Sequence, residues 1–482
     1  MNPVLSGETT ARRRVDLALE AIEDLNGDLN AFIQTTPQLA YEAADRIDAK
    51  IAAGQADRLG PLAGVPMGIK DNMNLVGSRT TCASRMLESY ESVYTATAVQ
   101  KLLDAGALPV GKCNLDEFAF GSSTETSVFG PTHNPWDLDC VPGGSSGGSA
   151  ACVSAGITPI ALASDTGGSI RQPGAFTSTV ALKPTYGRVS RYGVVAFASS
   201  FDCVGSIADT VENTALMLNA MAGLDPHDAT SAPCCEDFTA QLDKGVEGLR
   251  VALATDLLEV EGLDPEIKAG VLVAADALEK MGAHIGEVTL PHSEYALSAY
   301  YIIAPAEASS NLARLDGIRY GLRVEDATDV LDLYLRSRAQ GFGPETIRRI
   351  LIGTYVLSAN CYDAYYTQAQ KARTIIKQDF TNAFANYDIV LSPTTLTTAF
   401  KLGEKAGDLI SMYFSDVFTV PVNLAGNAAL SLPMGLASNG LPMGLHLISD
   451  HFKETTLLQV AAALERHYNL DVRPPYASPK IG

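Results

Sequence analysis

The chain repeatedly joins a helix-length amphipathic stretch to a glycine turn and a short apolar strand. That cadence restricts it to an α/β architecture. The helix-compatible run Ala96–Leu103 passes through Ala105-Gly106-Ala107 into the strand Leu108-Pro109-Val110. A second unit runs from the strand Leu249–Ala254 through the helix Pro265–Met281 to the strand Ile285–Leu290. Further strands are predicted at Val65–Ile69, Ile157–Ala163, Ile389–Leu391, Ala429–Leu432 and Met443–Ile448, and a final helix at Thr455–His467. Between about residues 300 and 385 the pattern is helical. Near the N-terminus Val15, Ala18, Leu19 and Ile22 recur at helical spacing behind Thr9 and Thr10, either of which can cap. Leu39–Ile51 forms a second amphipathic run. No internal repeat and no Pro-rich linker divides the chain. Residues 1–482 therefore read as one unit: a single large mixed, twisted β-sheet flanked by helices on both faces. A helical segment of about residues 1–55 is expected to pack on it.

Hydrophobic residues make up 46% and charged residues 19% of the chain, a globular balance. The 55 acidic and 35 basic residues leave a formal charge of −20, which repels phosphate backbones. The longest basic run, Arg12-Arg13-Arg14, is too short to offset this, so autonomous nucleic-acid binding is not expected. The N-terminus has no continuous apolar core, and no later stretch is apolar for 18 residues, so the expectation is a soluble cytoplasmic protein with no membrane contact. The eight cysteines (Cys82, Cys113, Cys140, Cys152, Cys203, Cys234, Cys235 and Cys361) are scattered without a C-x-x-C pair. They read as small buried hydrophobes, and no metal site is expected.

The region from about 121 to 190 is dense in Gly, Ser and Thr. Gly143-Gly144-Ser145-Ser146-Gly147-Gly148-Ser149 has the composition of a flexible linker. The apolar run Ala150–Ala155 behind it instead makes it the opening of a buried helix. The segment fits G-x-S-x-G on Ser145 or Ser146, but HNPWDLDCVP before it supplies no strand, and His446, His451 and His467 sit in no motif. Asp165-Thr166-Gly167 resembles the turn of aspartic proteases, which need a second copy that this chain lacks. A phosphate-binding G-x-x-x-x-G-K-[ST] is absent. What remains is Ser169 at the end of a glycine turn. The amides of Thr166, Gly167, Gly168 and Ser169 can converge there as an oxyanion hole. Ser169 needs a base, and a lysine serves if burial lowers its pKa from about 10.4 to about 7. Lys70 qualifies best: the apolar strand Val65–Ile69 feeds it inward, and Asp71-Asn72 turns the chain afterwards.

Taken together, GIKDN around Lys70, GGSSGGSA around Ser145 and SDTGGSIRQP around Ser169 resemble the amidase signature family. The separations, 75 residues from Lys70 to Ser145 and 24 from Ser145 to Ser169, are similar to that family's. The resemblance implies an amidase with Ser169 as acyl-ester nucleophile, Ser145 as a relay joined to Ser146 through a cis peptide, and Lys70 as base. TTCASRML, LDEFAFGSSTETS, LKPTYGRVSRYGVVAFASSFD, AEASSNLARLDGIRYG and LIGTYVLSANCYDAYYTQAQKAR resemble, more narrowly, the glutaminase subunits of tRNA-dependent amidotransferases.

That narrower resemblance implies hydrolysis of glutamine to glutamate and ammonia. The ammonia would pass to a partner that amidates misacylated Glu-tRNA(Gln) or Asp-tRNA(Asn) with ATP. The implied partners are B and C subunits in a heterotrimer, with tRNA met only through the B subunit. This chain would hold no cofactor, and ATP and Mg would sit at the partner. Free glutamine requires one carboxylate and one guanidinium in the pocket. The resemblance puts these at Asp416 and Arg349, with Tyr300 lining the site; the sequence itself leaves open which of Arg348 and Arg349 faces inward. Thr177, Ser178, Ala181, Asn427-Ala428 and His446, which stands where glutamine is usual, depart from the family pattern. They are expected to affect packing more than chemistry. The alternative is a free-standing amidase with the same triad and a different pocket; a non-catalytic scaffold would not need Lys70, Ser145 and Ser169 intact.

Overall fold

The computed structural model describes residues 3–234, 236–470 and 472–479. Helix α1 (Ala11–Leu29) begins where the Thr10 hydroxyl accepts from the Arg13 amide, and it ends at Asn30 in the left-handed region with φ 48°. The strand β1 (Phe32–Thr35) follows, then α2 (Pro37–Ala52), with proline at its first position. The basic run is dispersed by this packing. Arg12 pairs with Asp45, Arg13 pairs with Glu20, and Arg14 is buried.

Among the described residues eleven strands form one mixed sheet in the order β1-β3-β2-β4-β6-β5-β10-β11-β9-β7-β8. One wing holds β2 (Pro66–Lys70) between β3 (Leu108–Cys113) and β4 (Ile160–Asp165), both parallel to it, with β1 antiparallel on β3. The centre is antiparallel. There β4 meets β6 (Cys203–Ala208), β6 meets β5 (Val180–Lys183), β5 meets β10 (Ala428–Leu436), and β10 meets β11 (Pro442–Ser449). On the far wing β9 (Ile389–Pro393) is antiparallel to β11. Beyond it β7 (Arg250–Ala254) and β8 (His284–Val288) run parallel.

Both faces are covered. On β9, Ile389 and Leu391 join a core with α6 (Val211–Met221), α7 (Pro265–Lys280) and α14 (Glu454–Tyr468). Val390 faces the opposite core, built by α8 (Ala296–Leu312) and α11 (Thr367–Phe384). A strand buried on both faces reads as a continuous apolar run, which is why Ile389-Val390-Leu391 is legible without alternation.

Three details depart from the sequence reading. The strand expected at Ile157–Ala163 forms over Ile160–Asp165, because Gly156 turns at φ 71° and Pro159 has no amide to give a ladder. Ser164 and Asp165 therefore end the strand instead of opening the loop. The sequence pattern does not announce β1, β5 and β6, because FIQT, VALK and CVGSIA are short and mix apolar with small or polar residues. Lys112 and Lys183 are as fully buried as Lys70.

Six of the described cysteines are buried and Cys234 is half-buried, all as free thiols, while Cys235 lies outside the described residues. Among the described residues no helix is long and apolar enough to cross a membrane.

Candidate active site

Lys70 closes β2, whose five residues are all buried. Its Nζ lies 2.8 Å from the Ser145 hydroxyl, 2.7 Å from the Ser146 hydroxyl and 3.2 Å from the Ser164 carbonyl. Burial pushes the amine down to about 7 against the opposing pull of Asp116, Asp165 and Asp202. A neutral, proton-accepting amine is thus available near neutral pH. The other two buried lysines are differently committed. Lys112 is ion-paired to Asp71 at 2.8 Å, and Lys183 donates to the carbonyls of Pro184 and Asn427.

The Gly/Ser segment is no linker. The Gly144 amide donates to Gln172 Oε1, the Gly147 amide to Thr124 Oγ1, and the Gly148 amide to the Asn114 carbonyl. It leads directly into α4 (Gly147–Ser154), which is buried over all but its last residue. The cis peptide lies between Gly144 and Ser145, not between Ser145 and Ser146. The glycine side is the one packed too closely for a side chain, since a Cβ on Gly144 would strike the Asp116 carboxylate and the Ser123 amide.

Ser169 follows β4 on a turn held by Asp165. That carboxylate accepts from the amides of Gly168 (2.9 Å) and Ile170 (3.1 Å), from Arg171 Nε and Nη2 (both 3.0 Å), and from Asn423 Nδ2 (2.9 Å). Burial alone would raise this acid; the Arg171 guanidinium outweighs it and holds the carboxyl well below its usual range. The arrangement corrects one expectation. The Gly168 amide is committed to Asp165, so the turn offers the amides of Thr166, Gly167 and Ser169, which have no acceptor among the described residues. Gly168 has φ 142°, and a Cβ there would strike the Thr419 hydroxyl; one on Gly167 would come within 2.7 Å of the Tyr300 hydroxyl oxygen.

The Ser169 residue is 8% exposed, and its hydroxyl has no hydrogen bond among the described residues. Its carbonyl accepts from the Ser146 amide at 3.1 Å, which ties the two serine loops together through backbone. Lys70, Ser145 and Ser146 therefore meet side chain to side chain. Ser169 joins them by main chain, with its hydroxyl unengaged among the described residues.

At the other end of the site, Asp416 Oδ2 accepts from Ser122 Oγ at 2.7 Å, and burial pushes its carboxyl up to about 7. Of the arginine pair on α10 (Pro344–Val356), the Arg349 side chain is 5% exposed and that of Arg348 40%, so Arg349 is the inward one. Its guanidinium lies 4.7 Å from the ring centres of both Tyr301 and Tyr413, and its Nε donates to Glu345 at 2.7 Å. Gln172 links the two ends: its Nε2 donates to the Ser122 carbonyl and its Oε1 accepts from Gly144. The arrangement brings a buried base, two hydroxyls and unengaged amides to one side of Tyr300, which lies against Gly167, while one guanidinium and one carboxylate, Arg349 and Asp416, both act on that tyrosine; these are groups that acyl transfer can use.

A family model described as Amidase matches residues 13–458. The chain belongs to the amidase family. It is 54% identical over 473 residues to the A subunit of glutamyl-tRNA(Gln) amidotransferase from Rubrobacter xylanophilus, an alignment covering 98% of this chain and 97% of that one. Among solved structures it is similar to the A subunit of glutamyl-tRNA(Gln) amidotransferase from Thermotoga maritima. That pair has a TM-score of 0.81 and 41% identity, covering 97% of this chain and 95% of that one. A bacterial aryl acylamidase of the amidase signature family matches at TM-score 0.85 and 27% identity over 99% of this chain and 97% of that one.

Within this amidase, sequence reasoning missed the parts that hold the reacting groups still. Asp165 and Arg171 both lie in the SDTGGSIRQP segment, and opposite charges bracketing a glycine turn were the available signal. Ser122 and Gln172 gave none, because their partners are distant in sequence.

Proposed function

We propose that this chain is the glutaminase subunit of a tRNA-dependent amidotransferase. It would release ammonia from glutamine for a partner subunit that amidates misacylated Glu-tRNA(Gln), or Asp-tRNA(Asn), with ATP. The observation that carries the chemistry is the water-shielded Lys70 amine held between two serine hydroxyls beside the Ser169 turn. The extended identity to the Rubrobacter protein favours this over a free-standing amidase, as do a buried carboxylate and a buried guanidinium, Asp416 and Arg349, that both act on Tyr300.

In this reading the glutamine ammonium sits at Asp416, its carboxylate at Arg349, and its side-chain amide over Ser169, with Tyr300 packed on the turn. Ser169 Oγ gives its proton through Ser145 to neutral Lys70 and attacks the amide carbon. The hydroxyl-to-hydroxyl step is one that tightens when substrate fills the pocket. Negative charge gathers on the amide oxygen, where the amides of Thr166, Gly167 and Ser169 can receive it. The proton returns through Ser145 to the leaving nitrogen, ammonia departs, and Ser169 is left as a γ-glutamyl ester. Water, deprotonated along the same route, hydrolyses the ester to glutamate.

Residues 1–482 act as one amidase domain in this proposal, supported by a sheet that draws strands from Phe32 to Ser449. The partners are the B and C subunits of a cytoplasmic heterotrimer. ATP, Mg and tRNA are engaged on the partner side.

Two measurements test the proposal. Mass spectrometry after trapping with a glutamine-like electrophile should find the adduct on Ser169. Steady-state kinetics should show a preference for glutamine, whereas efficient turnover of aryl amides without that preference would support the free-standing amidase.

A further inference from the structure

His446 is wholly buried on β11 in the middle of the sheet, beside Ser392 of β9. Its Nε2 lies 3.1 Å from Arg171 Nη1 and its Nδ1 lies 3.2 Å from Ser392 Oγ. A guanidinium can only donate, so Nε2 is the acceptor and the ring proton resides on Nδ1. That proton is donated to the Ser392 oxygen, whose own hydrogen is directed to the Pro393 carbonyl at 3.3 Å. The ring stays neutral: burial first, and then Arg171 beside it, push its pKa well below the ordinary value. The charged groups that act on it are Arg171 of α5 (Arg171–Thr177), Lys183 of β5 and Asp165 of β4. Protonation would set three cations together around one carboxylate.

Arg171 is itself fully buried and has five N–H donors. Nε and Nη2 reach Asp165, Nη2 also reaches Asn423 Oδ1 at 2.6 Å, and Nη1 reaches the Thr419 carbonyl at 3.1 Å. His446 takes the fifth. Without it one buried donor is unsatisfied, and the guanidinium loses the acceptor that fixes its tilt. Asp165, gripped by that guanidinium, holds the amides of Gly168 and Ile170, the residues on either side of Ser169.

We propose that His446 is a positioning residue: a neutral acceptor that completes the Arg171–Asp165 clamp and so sets the pose of the Ser169 turn. The proposal rests on the reading of Ser169 as nucleophile. It departs from the expectation that a histidine at this position affects packing more than chemistry.

The test compares His446→Leu, which keeps bulk but has no acceptor, with His446→Gln, whose amide oxygen can accept, in the assembled complex. His446→Leu should lose about 10- to 100-fold in kcat for glutamine with KM within about 3-fold, and trapping of Ser169 should slow by the same factor. His446→Gln should stay within about 3-fold of the parent. Equal activity of both variants and the parent overturns the proposal, as does equal impairment of both, or a loss confined to KM. If His446→Leu does not fold, histidine-selective 15N labelling of the parent decides. The resonance missing from His446→Gln must show an unprotonated Nε2, and a protonated Nε2 overturns the proposal. Ser169→Ala separates this from the underlying reading. A variant that still forms an acyl-enzyme removes Ser169 as nucleophile, whereas an inactive one beside a fully active His446→Leu overturns only the positioning role.

Discussion

The Lys70 amine sits 2.8 Å from the Ser145 hydroxyl, and both residues are wholly removed from water. Burial makes the lysine a base and proximity gives it a proton to accept, and neither condition suffices alone. Lys112 and Lys183 show this: they are equally buried, but Lys112 is held by the Asp71 carboxylate as well as by the Thr80 hydroxyl, which keeps its ammonium form paired, and Lys183 donates to two carbonyls, so neither is a free base beside a hydroxyl. For Lys70 the consequence has a sign. The charged form cannot take a proton, so kcat/KM for glutamine should rise with pH through about 7 and level off above it.

Replacing Lys70 by alanine should reduce glutaminase activity by at least about 1,000-fold, and Lys70→Arg should do no better, since a guanidinium does not deprotonate in this range. Steady-state assays of the purified complexes check both. Substantial activity in Lys70→Arg would remove the base assignment.

Ser169→Ala should form no covalent adduct with a glutamine-like electrophile yet melt within a few degrees of the parent. The hydroxyl it removes has no hydrogen bond among the described residues, so little stability is lost. Intact-mass measurement and thermal denaturation report the two halves separately.

Asp416 should govern affinity. Its carboxyl is pushed up to about 7 by burial, so it loses charge as the pH falls through that value, and KM for glutamine should climb on the acid side. Asp416→Asn should raise KM about 10- to 100-fold while leaving kcat within a few-fold, and it should abolish the pH dependence of KM. The Lys70 limb in kcat should persist in that variant, which separates two groups that titrate close together.

Asp165→Asn should be the most destabilising of these changes, by about 3–5 kcal/mol in denaturant titration, because it strands the buried Arg171 charge. Arg171 holds the folded carboxyl below its unfolded value. The pair's contribution is therefore complete above about pH 4 and is lost as the pH falls through the folded-state value.

The legible parts of the molecule were those encoded locally. Lys70 could be found because an apolar strand runs straight into it, and the helix after Ser146 because its glycines give way to Ala150–Val153. The choice between Arg348 and Arg349 could not be read from sequence. It depends on Tyr301 from α8 and Tyr413 from α12 (Leu409–Phe414), which supply the surface against which one guanidinium packs. The commitment of the Gly168 amide to Asp165 was equally hidden, since four consecutive amides look alike until a carboxylate selects among them. His446 read as a packing variation because its partner, Arg171, lies 275 residues earlier.

The clamp on the Ser169 turn also sets a timetable for synthesis. Arg171 is secured by Thr419 and Asn423, 248 and 252 residues downstream, and β5 waits for β10 to pair with it. A chain leaving the ribosome carries Lys70, Ser145 and Ser169 long before the Arg171 clamp on the Ser169 turn can close. Interrupted or truncated translation products should therefore be inert toward the cellular glutamine pool, with no separate inhibitor required to silence them.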